Sequence, residues 1–467
     1  MSMRTGTRTG TRTGSKGAGW TPGLAAVVAA VALVGGVTPA RAETAAAARA
    51  LTVEDTVSLA LQTNPRLLAA RARLRAGSAR ATSAGRRLLP VVRVSDELQR
   101  YDSAFVINFP IPGAPPGEGF RARDATTNTF VASLSQPLVG LLRLDRERRA
   151  VEQSDEAAAA DVATAEAELR QSVQTYFLTY FEARALEALA DTSARELGAE
   201  AVVARARLAS GVITPADLLR IEVAIANAHQ QALQAHSQAE VARARLLAII
   251  GLDARQGEGG GRDVTLVEPT ALLAAAQAPE ASLATLQASA HRSRPEVAAR
   301  VHLTRAAEHQ ARARGLALLP DINLEAAYLR VDGQVFTPKN SAFVGLKADW
   351  AVWEWGATEH LRRAAEADAD AARRDAEATD RQIDAEVAST LAEGESARGA
   401  VTAANQAIAS AEEAFRVTEA GVKAGSATTT DLLESQSALT QARLNLIRAR
   451  YELALAHVGL ARASGGG

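Results

Sequence analysis

The sequence predicts a mainly α-helical protein with a small β part, assembled by tandem duplication. Three observations carry this. First, Gly425–Gly465, a glycine and a threonine run followed by a long proline-free Ala/Leu/Arg helix pattern, occurs twice. Gly211–Gly251 pairs with it without a gap at one offset (425 − 211 = 214), matching Asp217 to Asp431, Leu218-Leu219 to Leu432-Leu433 and Gly251 to Gly465. Second, the front of each copy also matches. Pro65 pairs with Pro295 and Leu88-Leu89-Pro90 with Leu318-Leu319-Pro320, at an offset of 230 (295 − 65). The two offsets differ by 16 (230 − 214), so copy one carries that many extra residues after Pro90, placed around Phe109–Gly119. Third, each copy reads as a helix, two short strands and two long helices. A repeat has to be found before any other structural reading, since missing it misassigns the fold.

In chain order, residues 1–42 read as a secretory signal. Arg4, Arg8, Arg12 and Lys16 give a basic start, an apolar run spans Leu24–Val37, and Ala40-Arg41-Ala42 is a small-x-small cleavage pattern. The apolar run falls short of the roughly 20 residues that span a bilayer. Repeat one is then 43–251, a linker 252–281, and repeat two 282–467.

Leu51–Leu89 is helical, with Thr52 and Asn64-Pro65 as start signals and a possible break at Asn64. Pro90 ends it. Strands are expected at about 91–99 and 128–136, separated by a Gly/Pro loop at Gly113–Gly119, and in copy two at about 321–330 and 342–350. Long helices are expected over Leu141–Ala209, Pro215–Ile250, Ala357–Ala424 and Asp431–Ala463. The longer ones would reach roughly 100 Å at about 1.5 Å per residue, far beyond the ordinary mean of about 11 residues. Ala364, Ala371, Ala378 and Ala385 recur at heptad spacing, as in a close-packed coiled-coil seam. The linker, with Gly257 and Gly259–Gly261, reads as a partly structured side segment.

Composition narrows the function. There is no cysteine, so packing or assembly has to hold an exported chain together. The net charge of −1 gives no bulk attraction to nucleic acid. Beyond the leader no segment suits a transmembrane helix, so a membrane crossing would use strands. Four strands cannot close a barrel, which needs about eight, so either they form a sheet or several chains pool them. Trp350, Trp353 and Trp355 cluster where copy two's strands end; they suit a membrane–water interface or a cap on the core. No HExxH, phosphate-binding glycine loop or nucleophilic cysteine points to an enzyme, a cofactor or a metal. His229 and His236 lack a third ligand, and Arg71, Arg73, Arg75 and Arg80 read as a solvated helix face.

Asn64-Pro65, Leu88-Leu89-Pro90, Gln136-Pro137-Leu138 and the two Gly-x5-Asp turns, in order and duplicated over Leu51–Gly465, resemble the outer-membrane efflux protein family, the TolC-like exit ducts. The resemblance implies a homotrimer. Each chain would lend four strands to a shared twelve-stranded barrel in outer-membrane lipid, and the helices would form a hollow cylinder through the periplasm. It also implies a periplasmic adaptor and an inner-membrane pump as partners, in an efflux or type I secretion system.

Two turns carry the expected chemistry. Gly211, Thr214 and Asp217, with Gly425, Thr428 and Asp431, have the spacing of a helix stop followed by a capped helix start. By the resemblance, Gly211, Thr214, Asp217, Gly425 and Thr428 are also the expected adaptor contacts. The copies differ one turn later. Asp217 precedes Arg220, an ordinary ion-pair spacing, whereas Asp431 precedes Glu434, a like-charge pair. In the TolC-like proteins acids of the second turn line the pore mouth, and Asp431 and Glu434 fall on those positions. In a trimer they would make a cation-selecting ring. The family's Arg and Tyr partners for the first-turn Asp are replaced here by Ala427 and Val422. The rival reading is a periplasmic coiled coil, structural or signalling, without a pore.

Overall fold

The computed structural model describes residues 49–107, 119–251, 264–278 and 280–466. The expected signal, nearly all of the proposed site of the 16-residue insertion and the whole glycine run in the linker lie outside them. Copy one runs β1 (Arg49–Leu51), α1 (Val53–Thr63), α2 (Pro65–Arg86), β2 (Val91–Arg100), β3 (Phe105–Ile107), β4 (Phe120–Pro137), α3 (Gly140–Ala209) and α4 (Pro215–Ile249). After β5 (Val264–Leu266) and α5 (Thr270–Ala275), copy two runs α6 (Leu283–Ser293), α7 (Pro295–Leu316), β6 (Asp321–Gln334), β7 (Asn340–Asp349), α8 (Ala357–Ala424) and α9 (Thr429–Ala463).

One rule organises both helical halves. An unbroken long helix, α3 of 70 residues or α8 of 68, faces a rod made of two shorter ones joined end to end. The 70 residues of α3 correspond to about 105 Å. α4 leaves the far turn, runs back along α3, and its C-terminus meets the N-terminus of α2; α9 and α7 do the same along α8.

The break at Asn64-Pro65 makes the first splice. Proline is tolerated in a first helical turn because its missing N–H would have had no partner there. Asn64 then serves both helix ends. Its Oδ1 accepts from the Arg66 and Leu67 amides at 2.9 and 3.2 Å, while its Nδ2 donates to the Ile249 carbonyl at 2.9 Å. The Thr63 hydroxyl donates to the Ile250 carbonyl at 2.6 Å. These are groups that helix ends otherwise leave unpaired. Leu67, Val173, Phe177, Leu246 and Ile250 pack around the joint as one buried cluster. Full burial of a side chain such as Phe177 stabilises by about 1.5–3 kcal/mol.

The second splice repeats the plan. Arg294 Nη1 donates to the Ala463 carbonyl at 3.3 Å and the Ser293 hydroxyl to the Ser464 carbonyl at 3.4 Å. Ala290, Ile383, Val387 and Ala463 form its core. Gly251 and Gly465, at φ of +73° and +77°, end α4 and α9 in the left-handed conformation that favours glycine.

The copies join through α3, which packs on α7 and α9, and through one antiparallel sheet of order β2-β4-β6-β7. β4 pairs with β6 from Pro137↔Asn323 to Asn128↔Asp332. β4 and β6 run further than the expected 128–136 and 321–330, reaching back to Phe120 and on to Gln334. The extension of β4 pairs with β3, a strand the sequence reading lacked. Both belong to the part of copy one that holds extra residues. The linker contributes β5, paired in parallel with β1, and α5, whose Leu272 and Leu273 pack on the α9 core.

One expectation needs correction. Ala364, Ala371, Ala378 and Ala385 are all exposed in the protomer. The buried stripe of α8 is instead Ala365, Ala369, Ile383 and Val387. The heptad row lies on the other side of α8 from its own chain's packing.

Candidate functional site

At the far end of the helices the two reversal turns are built alike. α3 ends with the Val212 amide donating to the Arg207 carbonyl at 2.9 Å, and α8 with the Ser426 amide donating to Gly421 at 2.9 Å. Gly211 (φ +73°) and Gly425 (φ +77°) turn the chain in the left-handed region, where a side chain would be strained. Each following helix starts with a complete capping box. In the first turn the Asp217 amide donates to Thr214 Oγ1 at 3.3 Å, and the Thr214 amide donates back to Asp217 Oδ2 at 3.0 Å. In the second, the same bonds between Asp431 and Thr428 measure 3.2 and 2.8 Å.

These bonds favour the charged carboxylate. The Thr214 hydroxyl, then its amide, hold Asp217 below its ordinary pKa; for Asp431 the Thr428 amide leads and the hydroxyl follows. Both aspartates therefore act as caps while remaining ionised. Asp431 and Glu434 are exposed, and Glu434 has no ion-pair partner among the described residues.

Arg220 forms the ion pair with Asp217 that its spacing predicts and adds a bond across the turns. Its Nη1 lies 3.8 Å from Asp217 Oδ1 and donates to Thr430 Oγ1 of the other turn at 2.7 Å. Beneath this bridge Leu433 of α9 packs with Ile213, Leu218 and Ile221 of the first turn. The two turns thus form one unit. Nothing local in the sequence points to this contact, because its partners are 210 residues apart.

At the opposite end the sheet is open. All ten residues of β2 are exposed, and β7 is almost as bare. Each is an edge strand paired on one side only. Val92, Val94, Leu98, Val344 and Leu346 are all more than 60% exposed, an apolar surface that a water-soluble sheet would bury. The three tryptophans stand at the end of β7 and are 60–86% exposed, so they do not cap the core. Trp353 and Trp355 meet edge to face at 5.6 Å. Among the described residues no helix is long and apolar enough to cross a membrane, and no acidic or histidine cluster could hold a metal.

A mainly helical body built twice over, carrying an open β-sheet with exposed apolar side chains, is the architecture of the TolC-like outer-membrane channels. The chain matches the outer membrane efflux protein family over residues 56–252 and 286–466 and belongs to it. The two matched segments correspond to the two copies. This sets aside the pore-free coiled-coil reading, and the family consists of non-enzymatic channels. The fold is similar to that of VceC, an outer membrane protein from Vibrio cholerae (17% identity, 89% of this chain and 96% of that one, TM-score 0.74). It is also similar to the outer-membrane channel OprN (19%, 89% and 90%, TM-score 0.72). A third similar structure is the open state of the Neisseria gonorrhoeae MtrE outer membrane channel (19%, 89% of each chain, TM-score 0.71). No curated protein sequence matches the chain.

Proposed function

We propose that this outer-membrane efflux channel is the passive exit duct of a tripartite efflux or type I secretion system, and that it works as a homotrimer. The observation that carries this is the pair of bare sheet edges, β2 and β7. Unpaired edge strands invite pairing with another chain. β2 of one copy against β7 of the next would satisfy both, and three chains with four long strands each would close a twelve-stranded barrel. Their ten-residue length suits the about 9–11 residues a tilted transmembrane strand needs. The helices would then extend into the periplasm. The energy for transport would come from an inner-membrane pump reached through a periplasmic adaptor.

The adaptor would meet the reversal turns end on, at Gly211, Thr214, Asp217, Gly425 and Thr428. Val212 and Leu219, 70% and 59% exposed at this tip, offer apolar footing for such a contact. Gathered around a threefold axis, Asp431 and Glu434 would form a carboxylate ring favouring cations. With Ala427 and Val422 in place of the family's partners, the Arg220–Thr430 bridge would tie the turns in the closed state.

In planar bilayers the purified protein is expected to give trimer-sized, cation-preferring conductance. The double variant Asp431→Ala, Glu434→Ala should move the reversal potential in a salt gradient toward zero. An unchanged potential would remove the ring, and a stable water-soluble monomer would remove the duct.

A further inference from the structure

Where the helices meet the sheet, the two copies solve one problem with different side chains. Leu88 and Leu318 are repeat partners (318 − 88 = 230), as are Gln136 and Trp350 (350 − 136 = 214). In copy one the Gln136 amide donates to the Leu88 carbonyl at 3.1 Å; in copy two the Trp350 indole N–H donates to the Leu318 carbonyl at 3.3 Å. A small amide suffices in copy one, so the hydrogen bond does not account for the indole. Trp353 and Trp355 likewise replace Val139 and Leu141. Trp355 is 86% exposed and holds φ at +58°, a left-handed conformation costly for a bulky side chain. Three rings are fixed on the surface rather than folded inward.

Arginines stand at the same end of the sheet, Arg314 on the Trp350 side and Arg86 with Arg87 at the opposite, β2 edge. Arg314 lies in the last turn of α7, four residues before the Leu318 carbonyl that anchors Trp350. Arg86 closes α2 in copy one and Arg87 follows it. All three are exposed, and among the described residues no carboxylate pairs with them. Most acids of this junction are paired with cations; Glu354, between Trp353 and Trp355, has no ion-pair partner among the described residues, and its Oε1 accepts from the Thr358 amide at 3.0 Å. Asp145 holds Arg148 and Arg149, Asp321 lies 3.6 Å from Arg143, Asp349 binds Lys347 at 3.1 Å, and Glu359 binds Arg362 and Arg363. Just beyond the free arginines Leu89, Leu318 and Leu319 are about half exposed, and the strands begin.

Free guanidinium, then indole and leucine, then an apolar strand is the order of groups met along a phospholipid from phosphate through glycerol to acyl chain. We propose that this junction is a binding surface for anionic glycerophospholipid. Arg314 would take the phosphodiester of a lipid whose glycerol and carbonyl region meets Trp350, Trp353 and Trp355, and Arg86 with Arg87 that of a second lipid at the β2 edge. Guanidinium matches phosphate oxygens in a planar, two-pronged fashion, and indoles settle at the headgroup level. Phosphatidylcholine and phosphatidylethanolamine carry the same phosphodiester but add a cation, which the unpaired arginines repel, so a lipid of net negative charge is favoured. The proposal rests on the outer-membrane placement.

The sequence supplies its own reporter, because its four tryptophans are these three and Trp20 in the expected leader. Full-length Trp20→Phe protein would be reconstituted into vesicles of phosphatidylcholine mixed with phosphatidylglycerol, one lipid at a time carrying brominated chains that quench indole fluorescence. Brominated phosphatidylglycerol is expected to quench more strongly than brominated phosphatidylcholine at equal mole fraction, by roughly fivefold in relative binding. The preference should fade in high salt and in the triple variant Arg86→Gln, Arg87→Gln, Arg314→Gln. Equal quenching by both lipids would overturn the proposal, as would a preference that the triple variant keeps. No quenching by either would place the indoles outside lipid and overturn it too. Conductance in pure phosphatidylcholine, recorded on wild type and variant, separates the outcomes: a conducting protein without lipid preference leaves the duct reading standing, and a conducting variant shows that its arginines were removed from a folded channel.

Discussion

At the copy-one splice a single neutral amide, Asn64, both accepts from one helix start and donates to one helix end. Its counterpart Arg294 can only donate, and the positions around it have changed to suit. Where copy one has Arg66, Ser172 and Ala248, copy two has Glu296, Glu386 and Arg462 at the same repeat offsets. Arg294 reaches Glu296 at 3.2 Å and Glu386 at 2.8 Å, and Arg462 also closes on Glu296. The Arg294 and Arg462 side chains are only 6% and 8% exposed. The same joint is therefore built once from a self-sufficient residue and once from a four-member ionic group. Such a group need not be more stabilising than neutral packing, but it depends on every member, because an orphaned buried charge is costly.

The largest effect should follow from removing the shared acceptor. Glu296→Ala leaves the buried Arg462 without a carboxylate and Arg294 with Glu386 alone, and is expected to cost about 3–5 kcal/mol. Its copy-one counterpart, Arg66→Ala, should change stability by about 0.5 kcal/mol or less. Hydrogen exchange at the ends of α4 and α9 would read each joint separately. Installing copy-one chemistry in copy two, with Arg294→Asn, Glu296→Arg, Glu386→Ser and Arg462→Ala together, should recover most of the loss; failure to recover would break the comparison.

Acid should distinguish the joints next. Burial alone would push the Glu296 carboxyl up, but hydrogen bonds from Arg294 and then Arg462 outweigh it and hold the pKa at about 2, against 4.5 for a free glutamate. Because the folded value is depressed, its contribution is fully present above pH 4.5 and is lost as pH falls toward 2. Exchange at the α9 end should accelerate over that window while the α4 end, tied by an amide, holds. Equal acid sensitivity at both ends would contradict the assignment.

Asn64→Ala should cost about 1–2 kcal/mol, without pH dependence, since it removes a cap and a helix-end bond but no charge. The smallest change concerns the tips, where the copies again differ in charge. Arg220→Ala removes an exposed bridge and should alter stability by about 0.5 kcal/mol or less. Its effect should appear instead as more frequent opening in bilayer recordings; unchanged gating would mean that the Arg220–Thr430 bond is incidental.

Much of this architecture could be read directly. Repeat offsets placed the helices, Asn64-Pro65 marked the splice, and Thr-x-x-Asp marked the capped turns, because each signal lies within a few residues of what it determines. The missing parts depend on distant partners. Glu386 and Ala463 come to Arg294 from 92 and 169 residues away, and Thr430 comes to Arg220 from 210. The alanine heptad misled for a related reason. Spacing identifies a stripe but not the neighbour it faces, and in the protomer that stripe faces none. The proposed place of copy one's extra residues, Phe109–Gly119, lies almost wholly outside the described residues, and nothing in the sequence marked β4 as starting at Phe120.

The matched joints also govern how such a protein could change size. α4 and α9 are both 35 residues long and α2 and α7 both 22, so each seam falls at the same height against a continuous beam. An insertion in α4 alone would slide its end past Asn64 and leave α3 too short to cover it. Any lengthening below the seams has to be made in four helices at once, by matching whole turns. The reach of the duct can therefore vary only in coordinated steps, whereas the strand tips above Arg100 can be extended in one copy alone, as β3 and the long β4 already are.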